Sequence, residues 1–108
     1  MEMIKIVVFA PMSHAKQVRE AIGKSGAGII GNYEYCTFSS KGIGGFKPKK
    51  GANPFIGKIG EIEEVEEERI EFICPKNKAK KVIKVMKQAH PYEEVAFDIY
   101  PLLNEDSL

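Results

Sequence analysis

The hydrophobic and polar positions of this chain change period several times, and each change marks the boundary of a predicted element. Residues 4–10 are almost entirely apolar and rich in Ile and Val, which predicts a central strand buried on both faces. Residues 14–25 then place apolar side chains at i, i+3 and i+7, which is typical of an amphipathic helix. Ser13 is the predicted N-cap of this helix, and Gly26 is its predicted left-handed C-terminal cap.

The middle of the chain returns to the period of a strand. Residues 33–39 alternate aromatic and polar side chains and predict a strand, and residues 41–57 predict a long glycine-rich loop. Seven glutamates follow between residues 61 and 71, partly alternating with Ile and Val. This pattern predicts two strand pieces, residues 59–65 and 69–74, with a turn or bulge between them.

The C-terminal part repeats the order of helix and strand. Asn77 is a predicted N-cap, residues 78–89 follow a helical pattern, and residues 95–100 predict a last strand. The order strand, helix, strand, strand, helix, strand predicts an α+β, ferredoxin-like βαββαβ fold, with an antiparallel sheet covered by two helices on one face. We expect a single domain over residues 1–108, with self-association covering the second face of the sheet.

Composition and charge narrow the classes of partner. The chain has 16 basic and 15 acidic side chains, a net charge of +1 and 44% hydrophobic residues, so nothing favours nucleic acid or a membrane as a partner. No apolar run is long enough for a membrane span, and the N-terminus lacks the features of a signal peptide, which predicts a cytoplasmic location. Cys36 and Cys74 are too far apart for a Cys-x-x-Cys motif and are interpreted as small buried hydrophobes, with a disulfide as the alternative.

The glycine-rich stretch is the first candidate binding region. Its Gly-x-Gly-Gly spacing lacks the flanking elements of a phosphate loop or a dinucleotide fingerprint. Two interpretations stay open. The first is a long hairpin loop with backbone conformations that favour glycine. The second is an anion site made by backbone amides and Lys47, Lys49 or Lys50. The candidate ligand-binding residues here are Gly44, Gly45, Phe46 and Lys47.

The segment after the second helix is the other candidate region. Pro91 biases His90 out of the helical conformation and ends the helix there. His90 is interpreted as a charged cap with a pKa above the ordinary value, and a packed neutral histidine or a metal ligand are the alternatives. Tyr92, Glu93 and Glu94 join His90 as candidate ligand-binding residues, and His90 and Glu93 are the candidates for a metal.

Several motifs together resemble a known family. Residues 90–102 (HPYEEVAFDIYPL) are similar to the closing motif of the PII/CutA-like domain that is inserted in many Nif-three-like, dinuclear-metal-centre proteins. Residues 35–38, 42–48, 51–57 and 60–66 extend the resemblance over nearly the whole chain. The His-Pro-Tyr-Glu stretch is also similar to CutA-type proteins, which are ferredoxin-like trimers linked to divalent metals.

The resemblance implies an accessory domain and no catalytic centre. Nif-three-like proteins take their metal ligands from regions that flank the insert, whereas this chain has only His14 and His90, so we expect a stand-alone version of the accessory domain. The expected function is a homo-oligomeric module, with a trimer favoured, that responds to a small-molecule or anionic ligand or to a divalent metal, and the cofactor is otherwise unknown. The alternative is an enzyme that uses His90 with Glu93 or Glu94 as acid–base groups.

Overall fold

The computed structural model describes residues 2–108, which form one four-stranded sheet and two α-helices. The elements are β1 (Met3–Pro11), α1 (Ala15–Lys24), β2 (Phe38–Phe46), β3 (Glu63–Pro75), α2 (Ala79–Ala89) and β4 (Phe97–Pro101). The strands lie in the order β2-β3-β1-β4, and all three pairs are antiparallel. The predicted α+β, ferredoxin-like arrangement is confirmed.

The core lies between the two helices and one face of the sheet. Alternate residues of β1 and β3 point to this face, because side chains along a strand alternate between its two sides. The buried side chains of the core are Ile4, Ile6, Val8, Ala10, Ala15, Val18, Ile22, Ala27, Ile70, Phe72, Cys74, Val82 and Met86. The apolar stripes predicted for both helices therefore lie against the sheet.

The opposite face of the sheet is more polar, and no helix of the described range 2–108 covers it. Val7 is fully buried there, between Glu71 on β3 and Asp98 on β4. Phe38 lies in the same row on β2, opposite Glu71, and 68% of its surface is exposed. Among residues 2–108, no helix combines the length and apolar character that crossing a bilayer requires.

The second strand begins later than the sequence pattern predicts. Of the predicted strand over residues 33–39, only Phe38 and Ser39 belong to β2, which continues to Phe46. Tyr35 has a positive φ of 61°, a conformation that a strand cannot include. The predicted loop over residues 41–57 is therefore wrong in its first part, because pairing with β3 holds these glycines in an extended conformation.

The third strand is continuous, where the sequence predicted two pieces with a turn or bulge between them. β3 runs without a break from Glu63 to Pro75, because β2 pairs with its first part and β1 with its second. Glu67 to Glu71 pair on both sides. The partners' ladder hydrogen bonds therefore outweigh the low strand preference of glutamate.

The helix ends agree with the sequence in part. Gly26 follows α1 with a φ of 92°, as predicted for a left-handed residue, and His90 is extended after α2, as Pro91 requires. The two predicted N-caps are wrong. His14 occupies the N-cap position of α1, and Asn77 lies inside a 3-10 turn (Lys76–Lys78), with no side-chain cap at either helix start.

Candidate functional site

The segment between α2 and β4 is attached at both ends to the backbone of Phe9 in β1. The His90 Nε2 lies 2.7 Å from the Phe9 carbonyl oxygen, and the Phe9 amide donates to the Ala96 carbonyl at 3.2 Å. These two bonds fix residues 90–96 as a loop over the end of β1, with Tyr92 between them. The conformation of the loop is thus set by a strand more than eighty residues earlier in the chain.

Both ring nitrogens of His90 have partners inside the protein. The Tyr92 amide donates to His90 Nδ1 at 3.2 Å, so Nδ1 carries no proton and Nε2–H donates to the Phe9 carbonyl. His90 is only 7% exposed, and this burial lowers its pKa below the ordinary value. The hydrogen bond to Phe9 and the negative charge of Glu67 act in the opposite direction and are outweighed. The prediction of a charged cap with a raised pKa is therefore wrong, since desolvation by burial lowers the pKa of His90 more than Phe9 and Glu67 raise it.

Tyr92 connects this loop to the sheet through Glu67. Its hydroxyl donates to Glu67 Oε2 at 3.1 Å. The pKa of the Tyr92 phenol is raised, first by burial and then by the negative charge of Glu67 and the hydrogen bond to it. The carboxylate reaches Tyr92 by lying over Gly44 of β2, where a Cβ atom would overlap it. The absence of a side chain at Gly44 therefore leaves the space on β2 that the Glu67 carboxylate occupies.

These groups line an open cleft of about 620 Å³. Seven of the eight candidate ligand-binding residues lie on its wall, and the exception is His90, which is buried behind Tyr92. The seven are Gly44, Gly45, Phe46, Lys47, Tyr92, Glu93 and Glu94. The fold therefore brings the two candidate regions of the sequence together in one place, within the size range of small-molecule sites.

The loop after β2 closes the cleft from the other side. The Gly60 amide donates to the Pro48 carbonyl at 2.8 Å, which joins the two ends of the loop. The Asn53 amide donates to Glu93 Oε2 at 2.5 Å and connects the loop to the 90–96 segment. Phe55 projects towards Tyr92, with ring centroids 6.3 Å apart, so the loop has a defined conformation despite its glycines.

An aromatic cluster forms the apolar part of the cleft. The rings of Phe46 and Phe55 lie 6.2 and 6.3 Å from the Tyr92 ring, both in tilted arrangements. His14, at the start of α1, contacts Phe55 edge to face at 5.4 Å. Phe55 is nevertheless 53% exposed, so a large apolar surface remains open to a ligand.

The residues of the cleft do not fit a metal ion. Within residues 2–108, no three His, Cys, Asp or Glu side chains lie close enough together to hold one. Both nitrogens of His90 are engaged, and Glu93 accepts a backbone hydrogen bond. His90 would have to break one of its two bonds before it could bind a divalent metal, and Glu93 alone is too few ligands to hold one.

The acid–base pairing considered from the sequence is not assembled either. Glu93 and Glu94 face the cleft, whereas His90 is not among the residues that line it. A general base must reach the proton that it removes, and within residues 2–108 the His90 ring bonds only to backbone groups of Phe9 and Tyr92.

Sequence reasoning missed Glu67 and Asn53 as parts of the site. Glu67 was one of seven glutamates with no local feature to distinguish it. The glycine at position 44 was a usable signal, because a glycine inside a strand often marks the close approach of another group. The identity of that group depends on the pairing of Gly42 with Glu67, which the sequence pattern did not reveal.

The chain is similar in sequence to part of a set of longer bacterial proteins. It is 59% identical over 101 residues to a "GTP cyclohydrolase 1 type 2 homolog" of Halalkalibacterium halodurans, covering 94% of this chain and 27% of the relative. The Bacillus subtilis protein of the same name is 55% identical over 98 residues, covering 91% and 26%. The chain thus spans about a quarter of the length of these relatives. No family model matches it.

The structure of the chain is also similar to solved structures of NIF3-related and CutA proteins. A Bacillus cereus protein related to NIF3 superimposes with a TM-score of 0.83 at 56% identity, covering 95% of this chain and 26% of the other. The periplasmic divalent cation tolerance protein CutA from Archaeoglobus fulgidus superimposes with a TM-score of 0.69 at 16% identity, covering 94% and 85%. The chain therefore has the CutA-like form of the ferredoxin-like fold and resembles, in sequence and structure, one segment of NIF3-related proteins.

Proposed function

We propose that this chain is a small ligand-binding accessory module that works as a homo-oligomer and uses the cleft between β2 and the 90–96 segment as its binding site. The observation that supports this most directly is the convergence of seven candidate residues on one cleft. They come from two segments more than forty positions apart in the chain. Binding there would connect the β2 side of the sheet to the segment that leads into β4.

The metal-responsive part of the sequence-based expectation has no support in the cleft, because no three potential ligand side chains lie together among residues 2–108 and both nitrogens of His90 are engaged. A binding role needs no such donors. Catalysis by the pairing considered from the sequence would need His90 on the cleft wall beside Glu93 or Glu94, and His90 does not line the cleft. We retain the cytoplasm as the expected location, because Cys36 and Cys74 are both free thiols. The nearly neutral net charge favours neither nucleic acid nor a membrane as a partner.

A thermal-shift panel of small molecules tests the binding role. A ligand present at a hundredfold excess over its Kd stabilises the folded state by about 2.7 kcal/mol, which for a domain of this size raises Tm by about 10 °C. The shift should decrease in Phe55→Ala, which removes a half-exposed ring from the cleft. Ile59→Ala is the matched control, because Ile59 is exposed to a similar extent (50% against 53% for Phe55) and lies outside the cleft. A panel without any shift, or equal shifts in both variants, would contradict a ligand site here.

The homo-oligomer is tested separately. The sheet face without a helix carries exposed Phe38, and a trimer that covers this face would have three times the 12.0 kDa mass of the chain. Phe38→Asp should lower the mass in light scattering, whereas Ile62→Asp, at a more exposed position outside the strands, should leave it unchanged. A monomer at micromolar concentration would count against the assembly.

A further inference from the structure

The lysines on the rim of the cleft have no ionic partner within the part of the chain that the structure describes. Lys47, Lys49 and Lys50 all line the cleft and are exposed. The ion pairs among residues 2–108 involve other side chains, namely Lys5, Arg19, Arg69 and Lys76 with their carboxylates. Three ammonium groups on four consecutive positions are therefore available to an external anion.

Two of the three carboxylates of the cleft, unlike the lysines, have hydrogen-bond partners within the protein. Glu67 accepts the hydroxyl of Tyr92 at 3.1 Å, and Glu93 accepts the amide of Asn53 at 2.5 Å. These bonds hold the loop, the 90–96 segment and the sheet together, so these two carboxylates serve the structure of the cleft. Glu94, the third carboxylate of the cleft, accepts no such bond from any residue in the range 2–108, and three lysines line the same cleft. The groups left free to meet a ligand are therefore mainly cationic.

The wall beside these lysines is apolar. Phe46, Pro48, Pro54, Phe55 and Ile56 form it, and the exposed half of Phe55 is its most accessible part. An apolar body placed here would remove this surface from water, which is the main favourable contribution for a small ligand. A charged group on the same ligand would lie at the lysine rim, because Lys47, Lys49 and Lys50 line the same cleft as this apolar wall.

We propose that the cleft binds a small amphipathic anion, with a ring-sized apolar body against Phe46 and Phe55 and a carboxylate, sulfonate or phosphate group on Lys47, Lys49 and Lys50. This inference rests on the proposed binding function and adds the chemical class of the ligand. The charged group supplies selectivity, since an anion gains electrostatic attraction to the three ammonium groups that an uncharged compound of the same shape does not gain.

A pair of fluorescent probes with the same ring system tests the ligand class. Anilinonaphthalene sulfonate carries the anionic group, and phenylnaphthylamine is its uncharged counterpart. We expect the sulfonate to bind at least tenfold more tightly, a difference of about 1.4 kcal/mol. The triple variant Lys47→Gln, Lys49→Gln, Lys50→Gln should weaken sulfonate binding about tenfold and leave the uncharged probe unchanged.

A second triple variant controls for net charge. Lys80→Gln, Lys81→Gln, Lys84→Gln removes the same three charges from exposed positions of α2, away from the cleft. It should leave the binding of both probes unchanged. An equal loss of sulfonate binding in the two triple variants would overturn the inference, because the effect would then come from total charge alone.

The remaining outcomes separate the two proposals. If both probes bind equally and Phe55→Ala weakens both, the cleft is a ligand site and the anionic class is wrong. If neither probe binds, or if Phe55→Ala changes the binding of neither, the binding function of the cleft fails together with the ligand class. Raising the salt concentration should weaken only the sulfonate, and an unchanged affinity would also overturn the anionic class.

Discussion

Replacing Gly44 with alanine is the sharpest test of the contact between Glu67 and Tyr92. A Cβ atom at position 44 would overlap the carboxylate of Glu67, whereas a Cβ atom at Gly42, two residues earlier in β2, meets nothing within 4 Å. Both glycines lie on the same side of the strand, and neither has a positive φ. Gly42→Ala is therefore a matched control, with the same chemical change in the same strand.

The expected magnitude follows from two opposing effects. Replacing glycine by alanine in a strand stabilises the folded state by about 0.5 kcal/mol, because the unfolded chain loses conformational freedom. Gly42→Ala should show this gain. In Gly44→Ala the carboxylate must move away from the Tyr92 hydroxyl, which loses a hydrogen bond to a charged acceptor. Such bonds contribute about 1.5 kcal/mol at the lower end of their range, so Gly44→Ala should be about 1.5 kcal/mol less stable than Gly42→Ala.

Urea unfolding at one fixed protein concentration measures this difference. With a slope of about 1.5 kcal/mol per molar, the midpoints of the two variants should differ by about 1 M. In a Glu67→Ala background the bond is already absent, so Gly44→Ala should behave like Gly42→Ala, and the double-mutant cycle isolates the contact. Equal midpoints for the two glycine variants with Glu67 present would refute the reasoning, and so would a Gly44→Ala cost that persists without Glu67.

Three further predictions concern His90, the cysteines and the loop. Burial lowers the pKa of His90, so as pH falls the unfolded state takes up a proton before the folded state does. The His90 contribution to the free energy of unfolding should therefore be complete above about pH 6.5 and decrease as pH falls through the lower folded pKa. An NMR titration of the imidazole with a midpoint above that of a model peptide would contradict this. Cys36 is half-buried, whereas Cys74 is buried with a raised pKa, so a thiol-specific disulfide reagent should modify Cys36 first, and equal rates for the two thiols would be the contrary result. Hydrogen exchange should be faster over residues 47–57 than at the ladder-bonded amides of β2, and comparable protection in both would show that the loop is as stable as the sheet.

The sequence by itself determined the order of the elements and most of their character. The periods of residues 4–10, 14–25 and 78–89 correspond to β1, α1 and α2 within a few residues. The conformations of Gly26 and His90 also followed from the sequence, because glycine and proline restrict the backbone through local sterics. The resemblance to NIF3-related and CutA-like proteins followed from the motifs in residues 35–66 and 90–102, and the comparisons confirm it.

Only the tertiary structure decided where β2 lies, that β3 is one strand, and which groups meet in the cleft. These features depend on hydrogen bonds between distant parts of the chain, and a period-two pattern does not specify its partner or its register. The pairing of Gly42 with Glu67 brings that carboxylate over Gly44 and within reach of Tyr92, fifty residues from Gly42 in the sequence.

The protonation of His90 shows most clearly what the local sequence determined and what the tertiary structure decided. Its position at the end of a helix was evident from the sequence and favours a charged ring through the local dipole. Its neutral form depends on burial against β1 and on two backbone partners, Phe9 and Tyr92. Desolvation is a property of the packed molecule, so a local sequence pattern indicates which groups can ionise, and the fold decides which of them do.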